Sequence, residues 1–309
     1  MPRLPSINPP AFICVASAFI CVFTAFGITP SSAAEISLTD DLGRKVELKQ
    51  PARRIVTLAP FLTELVYTAG AGARVVGVSA YSDYPAAAKA LPQVASAAGN
   101  SIESIAALHP DLVLAWKDSI RAEDVERIAR LGPQVYVARA RGLADVPRLL
   151  GVIGTLAGVD TRALGAAYDA RLARLRAQYA GRPEVGVFLE IWSHPLTTIS
   201  GRHFMNEALA ICRARNVFAD LAGVAPEVSW EEVYARDPAV VVGVGSAASP
   251  AEFRAAWREH ATLSAVKSGR LVFIDPDRLQ RPTTRTPEGI AELCAALDAV
   301  RPRAAAAKR

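Results

Sequence analysis

Ser101-Ile-Glu103-Ser-Ile105-Ala-Ala107-Leu-His-Pro110-Asp-Leu-Val113-Leu has a second copy 128 positions later, Ser229-Trp-Glu231-Glu-Val233-Tyr-Ala235-Arg-Asp-Pro238-Ala-Val-Val241-Val. Each copy reads as an N-cap serine, a glutamate in the first helical turn, a short helix, a proline stop and a buried strand. One helix–strand unit met twice at this distance indicates two related α/β lobes. Two lobes make a cleft, and one glutamate at the same place in each offers a matched pair of acidic points to a two-sided partner.

Around the first copy the chain alternates strand and helix. Arg54-Ile-Val-Thr-Leu58 and Val75-Val-Gly-Val-Ser79 are apolar runs of strand length, separated by the turn Ala59-Pro60 and a helix beginning at Thr63. Asp111 to Ala115 and Gln134 to Ala138 are further strands, with a helix over Ala122 to Leu131. This alternation means βαβ units and parallel sheets. Residues 143–180 lose the strand pattern and carry two helical stretches meeting at Gly158-Val-Asp160, the second of them long. Strands return at Val185 to Ile191, Ala239 to Val244 and Leu271 to Ile274, with a helix at Phe204 to Cys212. Thr286 to Val300 closes the chain as a helix. The expected fold is α/β: two Rossmann-like lobes with parallel sheets, joined by a single long helix, the ligand cleft between them. A helical spacer is stiff, unlike a glycine-serine hinge.

The chain has 309 residues and is 51% hydrophobic, enough for two lobes with a large core. Residues 1–34 stand apart. They hold one charge, Arg3, an uncharged run from Ala11 to Ile28, and the small-residue site Ser32-Ala33-Ala34. This is the layout of a secretory signal peptide; an uncleaved anchor is the other reading of so long a run. The expected organisation is a signal peptide over 1–34, a first lobe over 35–145, a helical linker over 146–180 and a second lobe over 181–309, in the periplasm. Cys212 and Cys294 remain after cleavage. An even pair in an exported chain reads as a disulfide, two buried thiols being the alternative. The net charge of +5 is spread along the chain without a basic, aromatic-interleaved cluster, so nucleic acid is not an expected partner.

Enzyme signatures are missing. The sequence contains no Gly-x-Gly-x-x-Gly, no phosphate-binding Gly-x-x-x-x-Gly-Lys loop and no Gly-x-Ser-x-Gly. Its four histidines form no His-x-x-x-His pair, so neither catalysis nor a metal site is expected. Aromatic residues occupy the strand ends instead: Tyr81 and Tyr84 after one strand, Trp116 at the end of another, Trp192 after a third. Ligands of open α/β sheets bind beyond the carboxyl ends of strands, where flat rings can cover a large ligand. For Trp116, core packing competes evenly with ligand contact. Asp277 and Arg281, in the charged loop after the last strand, either bond polar groups of a ligand or pair with each other. Glu103 and Glu231 sit one residue before the reciprocal capping position, which Ser104 and Glu232 fill, so neither is needed to close its cap.

These segments resemble the helical-backbone periplasmic binding proteins that serve ABC importers of cobalamin, iron–siderophores and haem. The resemblance is carried by Arg54-Ile-Val-Thr-Leu-Ala-Pro60 with Thr63-Glu64-Leu65, by Val76-Gly-Val-Ser-Ala-Tyr-Ser-Asp-Tyr-Pro85, and by Leu108-His-Pro-Asp-Leu-Val-Leu-Ala-Trp116. It is closest to the cobalamin-binding branch. It implies a monomer that binds a corrinoid and docks on a membrane permease dimer, with cobalamin as cargo and no resident cofactor. Haem or a ferric siderophore is the alternative cargo. It further implies ligand contacts from Tyr81, Trp116, Asp277 and Arg281, docking through Glu103 and Glu231, and a Cys212–Cys294 bridge. Ala97, Ala225 and Thr198 fall where that branch carries large aromatic residues; Trp192 and His194 are the expected replacements for that wall.

Overall fold

The structure is a computed structural model that describes residues 35–245 and 247–301. The expected signal peptide, residues 1–34, and the alanine-rich tail lie outside the described residues.

The described chain opens with a hairpin, β1 (Ile36–Thr39) and β2 (Lys45–Leu48). The Asp40 carboxylate closes it, accepting from the Leu42 and Arg44 backbone N–H groups at 2.9 Å and from the Arg44 guanidinium. The first lobe follows with β3 (Ile55–Thr57), α1 (Pro60–Thr68), β4 (Val75–Ser79), β5 (Gln93–Ser96), β6 (Gly99–Asn100), α2 (Ile102–Ala107), β7 (Leu112–Trp116), α3 (Ala122–Ala129) and β8 (Gln134–Ala138). Its six-stranded sheet has the order β6-β5-β4-β3-β7-β8, parallel except for the edge strand β6. Ile55 lies opposite Leu112, which lies opposite Gln134. The central strands are buried on both faces, as their unbroken apolar runs require.

Two helices leave this lobe. α4 (Asp145–Ala157) ends at Gly158, whose left-handed φ of 63° suits glycine alone, since a Cβ there would sit 2.7 Å from Pro51 Cγ. α5 (Arg162–Tyr179) then runs 18 residues into the second lobe. That lobe consists of β9 (Val185–Glu190), the small hairpin β10 (Trp192–Ser193) and β11 (Leu196–Thr197), α6 (Met205–Ile211), β12 (Ala214–Asn216), α7 (Trp230–Arg236), β13 (Val240–Val244), α8 (Pro250–Trp257), α9 (Ser264–Lys267), β14 (Leu271–Ile274), α10 (Pro276–Leu279) and α11 (Thr286–Val300). Its sheet is all parallel, in the order β12-β9-β13-β14.

The two-lobed α/β architecture is the one expected. Local boundaries differ in ways with clear causes. The first helix begins at Pro60, not Thr63: proline lacks an N–H and fits the first helical turn, so it starts the helix where a turn was expected. The strands β5, β6, β10, β11 and β12 are two to four residues each, too short to show periodicity.

One apolar cluster runs without a break from Ile55 and Leu65 through Leu149, Leu156 and Leu172 into Leu209, Ile290 and Leu293. The lobes therefore share a core through α1, α4, α5, α6 and α11. Smaller clusters cover the outer face of each sheet. Cys212, at the end of α6, forms a disulfide with Cys294 of α11, their Cα atoms 4.7 Å apart and both side chains fully buried.

Candidate functional site

Parallel strands send every following loop to the same edge of the sheet. Here the loops after β7 and β8, the first turn of α1, and the second-lobe loops before α6 and after β14 enclose a cavity of about 1040 Å³. Phe61, Trp116, Asp118 and Arg141 line it from the first lobe; Arg202, His203, Phe204, Val224, Ala225 and Arg281 line it from the second. Phe61 and Trp116 meet edge to face at 5.8 Å and 87°. The Trp116 indole N–H is buried without a hydrogen-bond partner among the described residues, a penalty of about 1–3 kcal/mol carried on the cavity wall. His203 stacks on Phe204 at 4.9 Å, and its Nδ1 accepts the Met205 N–H at 3.2 Å. Burial pushes the His203 pKa down to about 4, so the ring is neutral near pH 7. With Nδ1 accepting, the proton of the neutral ring belongs on Nε2.

Beside the cavity the lobes are tied by charge. Arg281 binds Asp83 of the first lobe and Asp277 of its own loop, both at 2.9 Å. Burial pushes the Asp83 carboxyl up, but its hydrogen bond and attraction to Arg281 more than reverse this and hold it below the usual range. Burial wins at Asp277, which is raised despite Arg281, with Asp83 adding repulsion. One guanidinium thus serves two carboxylates. Next to it, Arg285 grips Glu64 through two hydrogen bonds of 2.7 Å and lies 3.8 Å from the Tyr84 ring centre. Glu64 is only 1% exposed. Thr68 and Thr284 complete this seam at 3.4 Å.

Tyr81 stands outside the cavity lining. It is 76% exposed and adopts a left-handed φ of 62°. The cause is a buried hydroxyl chain: Thr57 to Thr63 at 2.7 Å, Thr63 to Ser82 at 3.0 Å and Ser82 to Ser79 at 3.2 Å. The chain pins Ser82 inward and leaves its neighbour turned out in a strained conformation. Trp192 and His194 line a second cavity of about 540 Å³ with Gly245 and Phe253, at the carboxyl ends of β9 and β13. Glu190 closes its floor, accepting the Trp257 indole N–H at 2.6 Å and the Ser193 hydroxyl at 2.9 Å. The structure therefore brings Trp116 and Arg281 to one cavity, keeps Asp277 beside Arg281, and puts Trp192 on another. Ala225 lies on the large cavity, whose lining also includes Val224, His203 and Phe204. Thr198 is fully buried, its hydroxyl donating to the Leu189 carbonyl at 2.7 Å.

Glu103 and Glu231 are exposed in the first turns of α2 and α7. The caps use other groups. Ser101 accepts the Ser104 N–H at 3.3 Å, and Ser229 and Glu232 form a full capping box. Neither Glu103 nor Glu231 enters an ion pair among the described residues. Each helix leads into the amino end of a sheet strand, so each glutamate lies toward the opposite, cleft-side edge. No group of three or more His, Cys, Asp or Glu able to hold a metal ion occurs among the described residues.

Nothing in the sequence assigns a role to Glu64, Asp83, Arg285, Arg141 or Arg202. Glu64 and Asp83 lie inside the motifs quoted above, yet nothing local points to partners 221 and 198 residues away.

Residues 55–278 match the sequence signature of the periplasmic binding protein family. The vitamin B12-binding protein of Vibrio parahaemolyticus serotype O3:K6 is 32% identical over 254 residues, which is 82% of this chain and 92% of that one. The crystal structure of the periplasmic vitamin B12 binding protein BtuF of Vibrio cholerae superposes with a TM-score of 0.73 at 32% identity, over 82% of this chain and 99% of that one. A periplasmic haem-binding protein from Pseudomonas aeruginosa gives 0.72 at 27% identity, over 79% and 92%. The chain belongs to the periplasmic binding protein family.

Proposed function

We propose that this chain is the substrate-binding component of an ABC importer, working in the periplasm as a monomer. It captures cobalamin or a related corrinoid between its lobes and delivers it to a membrane permease dimer. The observation that carries this reading is the interlobe cavity of about 1040 Å³, walled by Phe61, Trp116 and Phe204. Its size is at the top of the range for small-molecule sites, as a large flat macrocycle needs. The likeness to vitamin B12-binding proteins supports the choice of cargo.

In this reading residues 1–34 direct export, 35–145 and 181–309 are the lobes, and 146–180 is the stiff linker. Trp116 covers a face of the ligand and Arg281, held by Asp277 and Asp83, meets its polar rim. Tyr81 and Trp192 close over it from outside the cavity. Glu103 and Glu231 present the loaded protein to the two permease subunits. The mechanism is capture and handover, with no bond chemistry. The shared core makes lobe movement small, unlike hinge-closing binders.

Haem or a ferric siderophore is the second reading, favoured by the likeness to a haem-binding protein and by the outward phenol of Tyr81. Calorimetric titration of residues 35–309 with cyanocobalamin, haemin and a ferric siderophore decides between them. One-to-one binding of cyanocobalamin at submicromolar affinity, with the others silent, is the expected result. A signal from an iron ligand alone overturns the cargo and keeps the fold.

A further inference from the structure

Four charged side chains line the large cavity: Arg141, Arg202, Arg281 and Asp118. Arg281 already has Asp83 and Asp277 as partners. Arg141 and Arg202 have none. Only their backbone N–H groups are engaged, Arg141 with Asp145 at 2.7 Å and Arg202 with Ser200 at 3.2 Å. Among the described residues, neither guanidinium enters a hydrogen bond or an ion pair. Arg141 follows β8 on the first lobe and Arg202 precedes α6 on the second, so one free cation stands on each wall. The one free carboxylate on the lining, Asp118, balances at most one of them.

Like charges on two opposed walls repel, and the repulsion grows as a ligand displaces the water between them. Two anionic groups arriving with the ligand reverse its sign. A guanidinium also offers a planar fork of donors that matches a carboxylate or phosphate, which an apolar or purely amide-bearing ligand leaves unused. We propose that Arg141 and Arg202 make this cleft favour ligands with anionic groups at the rim, each guanidinium taking a carboxylate or phosphate where the ligand brings one. This inference rests on the cleft being the ligand site. Within the corrinoid reading, it selects forms that keep a phosphodiester tail and a free rim carboxylate over forms that carry neither.

The test is calorimetry on the mature chain and on R141Q/R202Q, with three probes of rising negative charge. They are cobinamide, which has no phosphodiester; cyanocobalamin, which has one; and cyanocobalamin with one rim amide hydrolysed to the carboxylate. Both arginines are exposed and unpaired, so the double variant keeps the parent melting curve. For the parent, affinity is expected to rise along the series, with the hydrolysed form about 5-fold tighter than cyanocobalamin. R141Q/R202Q is expected to lose that last step, and 0.5 M salt to shrink it in the parent. Corrinoid binding with no charge preference, or with one that survives in R141Q/R202Q, overturns the inference and leaves corrinoid capture standing. If no corrinoid binds, capture falls, and haemin is compared with its dimethyl ester. An approximately 5-fold loss on esterification that the variant abolishes upholds the anion rule; equal affinities overturn it. Silence with every macrocycle overturns both.

Discussion

Arg285 of the second lobe holds Glu64 of the first through two parallel hydrogen bonds of 2.7 Å, while Tyr84 covers the guanidinium face at 3.8 Å. Glu64 is closed off from water and the Arg285 side chain is 17% exposed, so either partner alone would be a largely buried charge without its counter-ion. Glu64→Ala and Arg285→Ala are each expected to lower unfolding free energy by about 3–5 kcal/mol. Replacing both by apolar residues of similar volume should recover most of the loss. Urea denaturation reads this directly. Single variants that lose under about 1 kcal/mol would mean that water already reaches the pair.

The Cys212–Cys294 bridge closes a segment of 82 residues between α6 and α11. Chain entropy puts its contribution at about 4 kcal/mol. Reduction in denaturant, or the double serine variant, should shift the midpoint accordingly and leave the folded spectrum unchanged. An unchanged midpoint would show that the reduced unfolded chain keeps the two helices together.

His203 links stability to acid. Its folded pKa of about 4 lies below the ordinary histidine value of 6.5. Between these values the unfolded chain binds a proton that the folded chain refuses. Stability is therefore full above pH 6.5 and falls as pH drops toward 4, by up to about 3 kcal/mol. His203→Gln should flatten that part of the profile in chemical denaturation at stepped pH. A slope that persists in the variant assigns the acid sensitivity elsewhere.

Glu103 and Glu231 are separable from the caps beside them. Ser229→Ala removes the acceptor for the Glu232 N–H and should cost about 1 kcal/mol with uptake retained. Glu103→Arg with Glu231→Arg should leave the denaturation midpoint and ligand affinity in place and abolish uptake, measured as ligand import by cells carrying the cognate permease. Import that survives the double reversal removes both residues from docking.

The two-lobed fold was legible because its signals are local. The repeated Ser-x-Glu helix, the proline stop and the strand-length runs at Leu112 and Val240 each declare themselves within a dozen residues. The short strands β5 and β12 were not legible, since they exist only by pairing with β4 and β9. Trp116 and Arg281, both picked out in sequence, share one cavity, because strand ends in parallel sheets point the same way. Trp192, chosen by the same rule, also follows the carboxyl end of its strand, β9, but lines a separate cavity with Gly245 and Phe253.

By itself, then, the sequence determined the α/β class, the two lobes, the caps and the positions of the exposed glutamates, all of which depend on periodicity and on neighbours along the chain. Only the tertiary structure decided that Glu64 belongs to Arg285, that Arg281 is shared by Asp83 and Asp277, and that Arg141 and Arg202 stand unpaired on facing lobes. Those relations arise where the shared core of α1, α4, α5, α6 and α11 docks one lobe on the other. Charge pairing across such a seam is set by the geometry of packing, which no local pattern of residues encodes.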